Sequence, residues 1–167
     1  MSDKDAIRQL WKKSFGDSDW FIAGFLEKFH TAERMLAIEE NGKLVSMLHI
    51  LPFRIGSYSI GYIYGIATAM ESRQKGYATM LIRQAIELAR DRKFNALALI
   101  PADQRLKEFY SRFGFIGEYP VSFSTPDNFD LGTGEKEKDI LSILPLHNYT
   151  LPESESSLRL EWNEKTP

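Results

Sequence analysis

Residues 62–115 alternate strand-like and helix-like runs, and that alternation constrains the fold more than any other feature of the chain. The apolar run Tyr62-Ile63-Tyr64-Gly65-Ile66-Ala67-Thr68 reads as a strand. The basic, glycine-containing turn Arg73-Gln74-Lys75-Gly76-Tyr77-Ala78 follows. From Gly76 to about Arg92, the residues Ala78, Leu81, Ile82, Ala85 and Ala89 recur at helical spacing, the stripe that packs on a sheet. Residues 94–100 form a short, nearly continuous apolar run, as expected of a buried strand, and Pro101 ends it. Asp103 is placed to cap a further helix with Leu106, Phe109, Tyr110 and Phe113 on one face. Gly114 is its stop signal, and residues 115–123 return as strand. The succession calls for an α/β fold.

The first third of the chain supplies the rest of the sheet. Residues 5–15 read as a helix, with Ile7, Leu10, Trp11 and Phe15 at helical spacing. Asp17, Ser18 or Asp19 is a candidate cap for a second helix through Phe29, with Trp20, Phe21, Phe25, Leu26 and Phe29 apolar. Residues 35–38 and 44–51 read as strands about the hairpin signal Glu40-Asn41-Gly42-Lys43, the second continuing past Pro52 through residues 53–55. Gly56-Ser57 is another turn. Residues 58–60 and 62–70 then read as strands separated by a bulge or bend at Gly61. Residues 124–138 and 147–157 read as loops. The apolar segment 139–146 and a last strand at 157–162 either complete the sheet or pair with a second subunit, so a homodimer is one expectation.

Composition removes several function classes. At 167 residues the chain is expected to be one domain with a core that needs no staples. It has no cysteine, so disulfides, thiolate metal sites and a cysteine nucleophile are out. His30, His49 and His147 lack metal-ligand spacing, so no metal is expected. A formal charge of −2 argues against a general nucleic-acid binder. No apolar run approaches the roughly 20 residues that cross a membrane, and the first residues are too polar for a signal peptide. The expected location is cytoplasmic.

A strand that feeds a tight turn opening a helix gathers unpaired N–H groups and the positive end of the helix dipole in one volume. That is an anion site, suited to a pyrophosphate. The spacing is neither that of the phosphate loop Gly-x-x-x-x-Gly-Lys-Ser/Thr nor Gly-x-Gly-x-x-Gly. It is Arg-x-x-Gly-x-Ala, and it is followed by Phe109-Tyr110-Ser111-Arg112-Phe113-Gly114-Phe115.

These two signatures, in this order, resemble the GCN5-related N-acetyltransferases (GNAT). The lead-in Tyr64-Gly65-Ile66-Ala67-Thr68 and the link Ile100-Pro101-Ala102-Asp103 look most like the bacterial branch related to the enhanced-intracellular-survival type enzymes. The resemblance implies a mixed, mainly antiparallel twisted sheet flanked by helices on both faces, with two N-terminal helices. It implies acetyl-CoA as co-substrate, with the pantetheine arm running beside Ile66, Ala67 and Thr68. The pyrophosphate is expected on the N–H groups of Gln74, Lys75, Gly76, Tyr77, Ala78 and Thr79, with Arg73 and Lys75 adding charge. Both cations also read as ordinary solvated loop charges. Gly76 admits close backbone approach.

Tyr110 matches the family's general acid, which protonates or stabilises the leaving CoA thiolate. It also reads as a packed core tyrosine. The base that deprotonates the acceptor is open among Glu71, Glu118, Tyr64, His49 and ordered water. The implied function is acetyl transfer to a primary amine by direct attack. The alternative is a non-catalytic acyl-CoA sensor or interaction module. Acidic residues 17, 19, 39 and 40 either attract a cationic acceptor or form a solvated face.

Overall fold

The computed structural model describes residues 3–164 of the chain. Its helices are α1 (Asp3–Phe15), α2 (Asp19–Lys28), α3 (Tyr77–Asp91) and α4 (Gln104–Ser111). Its strands are β1 (Met35–Glu40), β2 (Lys43–Ile55), β3 (Tyr58–Thr68), β4 (Ala96–Leu99), β5 (Ile116–Ser124), β6 (Ile140–Pro145) and β7 (Leu158–Trp162). Hydrogen bonding orders the strands β1-β2-β3-β4-β6-β5-β7. The β1–β2, β2–β7, β4–β6 and β5–β6 pairs are antiparallel, while β3–β4 and β5–β7 are parallel. The expected class therefore holds: α/β, with a mixed, mainly antiparallel sheet and two N-terminal helices.

The chain divides into two compact units, residues 1–51 with 63–87 and residues 52–62 with 88–167. Strands β2 and β3 pass from one into the other.

In the first unit, α1 carries Asp3 and Asp5 in its first turn and Lys12 and Lys13 in its last, which suits the helix dipole. The three candidate caps for α2 take three different tasks. Ser18 is the cap and accepts from the Phe21 N–H at 3.1 Å. Asp17 accepts from the Trp11 indole N–H at 2.8 Å, and Asp19 pairs with Lys12 at 2.7 Å. The buried stripe of α2 is Ile22, Phe25 and Leu26, continued by Phe29. Trp20 lies outside that stripe and is 79% exposed, contrary to its expected place on the packed face. Phe15, at the end of α1, is likewise exposed. The hairpin joining β1 and β2 turns at Asn41 and Gly42, both at positive φ (52° and 77°), the two-residue turn that fits strand twist.

Gly61 is not a bulge. β3 runs unbroken through it, and the residue with positive φ is Gly65, at 68°. A Cβ at Gly65 would stand 3.4 Å from the Trp11 ring, an ordinary contact, so it is the left-handed backbone that favours glycine there.

The second unit begins with Pro52 inside β2. Proline has no N–H to donate, but its carbonyl accepts from the Asn163 N–H at 3.0 Å. Here β3 pairs with β4 over Ile60–Tyr62 and Ala96–Ala98 in parallel register. β6 inserts between β4 and β5. β7 pairs with β5 and also, through Trp162 and Glu161, with Phe53 and Arg54 of β2. The strands of this unit thus close on themselves. Segments 139–146 and 157–162, expected either to complete the sheet or to pair with a second subunit, join the sheet as β6 and β7. Between β5 and β6, the described structure holds two single 3-10 turns, Pro126–Asn128 and Lys136–Lys138.

Candidate functional site

In the first unit β3 ends at Thr68, a 3-10 turn spans Met70–Ser72, and α3 begins at Tyr77. The loop between them bends through two residues at positive φ, Gln74 (65°) and Gly76 (81°). Met80 N–H makes the first helical bond, to the Gly76 carbonyl at 3.0 Å. The N–H groups of residues 76–79 therefore precede the intrahelical ladder. Tyr77, Ala78 and Thr79 are half-buried, while Arg73, Gln74, Lys75 and Gly76 are exposed. A Cβ built at Gly76 meets nothing within 4 Å. The protein itself does not crowd this position, so its constraints are the left-handed backbone and whatever approaches from outside.

One carboxylate organises the loop. Glu40, the last residue of β1, accepts from the Ser72 hydroxyl at 2.6 Å and from the Lys75 ammonium at 2.9 Å. The Ser72 bond, then Lys75, hold the Glu40 carboxyl below its ordinary range, and Glu40 in turn raises Lys75. Lys75 is thus not a free solvated charge. The Arg73 guanidinium donates through Nε to the Thr68 carbonyl at 3.2 Å. Sequence separations of 32 and 35 residues put Glu40 beyond any motif.

The strand leading in is tied at its end. Ser46, fully buried on β2, donates to the Ala67 carbonyl at 3.1 Å, and its hydroxyl lies 2.9 Å from that of Thr68. The Ala69 N–H donates to the Val45 carbonyl at 2.7 Å. Ala67 is buried, and Ile66 and Thr68 are half-buried. Beside this strand end, α1, the β1–β2 hairpin and residues 69–73 enclose a cavity of about 650 Å³. Asp3, Glu39 and Glu71 line it together with Lys13, Lys43 and Arg73, so its charge is balanced.

The candidate bases differ in surroundings. Glu71 is exposed and pairs with Lys43 at 3.2 Å; its own backbone N–H, then Lys43, hold its carboxyl below the ordinary range. Glu118, in the second unit, pairs with Lys107. Tyr64 stacks on Phe25 with ring centres 5.4 Å apart. His49 is fully buried; its Nε2 lies 2.9 Å from Nδ1 of His30, and its own Nδ1 has no hydrogen-bond partner. Burial pushes His49 down to about 3, so its ring is neutral at ordinary pH.

Tyr110 belongs to the second unit. It is buried in α4 between Phe109 and Phe115, with ring centres 5.3 and 6.3 Å away. Burial, then Asp103, raises its phenol to about 12. Asp103 caps α4 by accepting from the Leu106 N–H at 2.8 Å, as the sequence predicts.

Among the described residues no three His, Asp or Glu side chains are grouped to hold a metal ion. No helix among them is long and apolar enough to cross a membrane.

Comparison with known proteins agrees with this fold. A GNAT family N-acetyltransferase from Escherichia coli, solved with CoA, superposes with a TM-score of 0.66 at 16% identity, over 97% of this chain and 85% of that one. A GNAT family acetyltransferase from Brucella melitensis, solved with acetyl-CoA, gives 0.62 at 15% identity, over 98% and 93%. A GCN5-related N-acetyltransferase from Kribbella flavida is 25% identical with a TM-score of 0.54, but the match covers 68% of this chain and only 31% of that longer one. A comparison with curated proteins finds no match. The acetyltransferase (GNAT) domain family matches residues 1–116, well over half of the chain, and the chain belongs to that family.

Proposed function

We propose that this protein transfers an acetyl group from acetyl-CoA to a primary amine, as a single acetyltransferase domain in the cytoplasm. The observation that carries the reading is the loop at residues 73–79. It joins a strand end to a helix start, bends at Gln74 and Gly76, and leaves the space over Gly76 open. Helix N-termini of this kind bind phosphate through backbone N–H groups and the helix dipole. Structural neighbours from Escherichia coli and Brucella melitensis hold CoA and acetyl-CoA, which supports the same donor here.

In this proposal Gln74 through Thr79 cradle the diphosphate, with Arg73 and Lys75 adding positive charge. Ile66, Ala67 and Thr68 offer backbone to the pantetheine arm. A backbone N–H on that strand faces the oxyanion of the tetrahedral intermediate. The amine attacks the thioester directly, the C–S bond breaks, and CoA leaves as thiolate. Tyr110 donates a hydrogen bond to that sulfur and stabilises the thiolate; its phenol, raised to about 12, keeps its own proton throughout the neutral range. Glu71 is a weak base in this scheme, because its carboxyl is exposed and paired with Lys43. Proton loss from the amine is therefore assigned to ordered water. The likeness of residues 64–68 to the enhanced-intracellular-survival branch is kept as part of the proposal.

Calorimetry with acetyl-CoA on the wild type and on Gly76→Glu tests the donor site. Micromolar binding that disappears in a folded variant supports it. Absent binding in the wild type removes it. Thiol release over a panel of amines then separates transfer from sensing: binding without release on every amine would point to the non-catalytic module.

A further inference from the structure

The loop's geometry is costly without outside support. Gln74 is not glycine, yet it sits at φ 65°, a left-handed conformation that is strained for an L-residue. Such strain persists where surrounding contacts over-determine it. Arg73 ties the loop to the Thr68 carbonyl, and one further side chain spans Gln74 itself. Glu40 offers one carboxylate oxygen to Ser72 and the other to Lys75, two residues before and one residue after Gln74. Ser72 is 3% exposed, so its hydroxyl has little water to turn to. A register shift between Ile38 and Glu39 just precedes Glu40, the kind of kink that re-aims a side chain at a strand end.

We propose that Glu40 is a positioning residue for the phosphate loop, clamping Ser72 and Lys75 about Gln74 so that the N–H groups of residues 74–79 are gathered before the diphosphate of CoA arrives. This rests on the proposed function. An exposed lysine–carboxylate pair alone contributes little. The difference here is that the same carboxylate also takes a buried hydroxyl, so the two bonds lock a loop and not merely two side chains. The negative charge of Glu40 is offset locally by Lys75. The Glu40–Lys75 pair is therefore close to neutral toward the ligand.

The test is CoA binding by calorimetry on the wild type, Glu40→Ala, Glu40→Gln, Ser72→Ala and the Glu40→Ala/Ser72→Ala pair, with thermal unfolding of each. Glu40→Ala is expected to weaken CoA binding about tenfold, the usual scale for losing a charge-assisted hydrogen bond. Glu40→Gln, which still accepts from Ser72, is expected to lose less. The double variant is expected to be no worse than Glu40→Ala, because Ser72→Ala removes a bond that Glu40→Ala has already removed. If Glu40→Ala does not fold, Glu40→Gln and Ser72→Ala carry the comparison. Wild-type binding with no loss, or a gain, in the Glu40 variants would overturn the inference while sparing the CoA reading. Losses that add in the double variant would also overturn it. A wild type that does not bind CoA would remove the CoA reading itself, and this inference with it.

Discussion

Tyr110 and His49 are the two buried groups whose protonation the fold controls most strongly. With its phenol raised to about 12, Tyr110 keeps its proton at neutral pH, as the proposed donor role requires. Tyr110→Phe is expected to lower turnover about a hundredfold and leave acetyl-CoA affinity unchanged. Equal turnover in steady-state assays would assign Tyr110 to packing alone. His49 acts on stability. Buried among Trp11, Phe25 and His30, it takes no proton in the folded protein until pH falls to about 3. In the unfolded chain it protonates near 6.5. The unfolded state therefore binds more protons between those values, and stability falls as pH drops through that window. The expected contribution between pH 7 and pH 5 is about 2 kcal/mol. Urea unfolding of the wild type and of His49→Leu at both pH values checks this: the variant's pH dependence should be flatter by that amount. Gly76 and Tyr110 are legible in sequence because each sits in a local motif. Glu40 and Ser46 are not, because their partners lie 21 to 35 residues away and only sheet pairing brings them close.

Helix ends show where element-level signals succeed and where they run out. Gly114 stops α4 as its type predicts: at φ 102° it lets the Phe115 N–H reach back to the Tyr110 carbonyl and its own N–H reach Ser111. α3 ends in the same pattern with a different residue. Lys93 holds φ 61°, its N–H bonds the Arg90 carbonyl, and the Phe94 N–H bonds Ala89. A lysine in that conformation carries strain that glycine would not, so Lys93→Gly is expected to raise stability by about 1 kcal/mol in chemical unfolding. No gain would mean that the lysine side chain offsets its backbone cost. The hairpin Asn41-Gly42 was readable because both residues tolerate positive φ. Gly61 and Gly65 are not distinguishable in sequence, since either suits a bend; in the structure it is Gly65 that takes positive φ.

At the scale of the whole molecule, the last strand completes the second unit. β7 pairs with both β5 and β2, and Leu160 at its centre is fully buried. Leu160→Ala is expected to cost about 2–5 kcal/mol, read as a lower unfolding midpoint. A cost well below that range would mean that β7 is a detachable edge. Order and type of the elements were determined by the sequence alone: helical and strand periodicities, caps and turn residues act within a few positions, so local physics decides them. So was the family, because the loop and the Phe-Tyr-x-x-x-Gly-Phe run are contiguous motifs. Tertiary structure decided what depends on distant residues meeting: β6 inserted between β4 and β5, β7 returned to β2, His49 paired with His30, and Glu40 bonded to Ser72 and Lys75 on the loop before α3. Each of these is a long-range hydrogen bond or ladder, formed between segments whose local sequences carry no mark of one another.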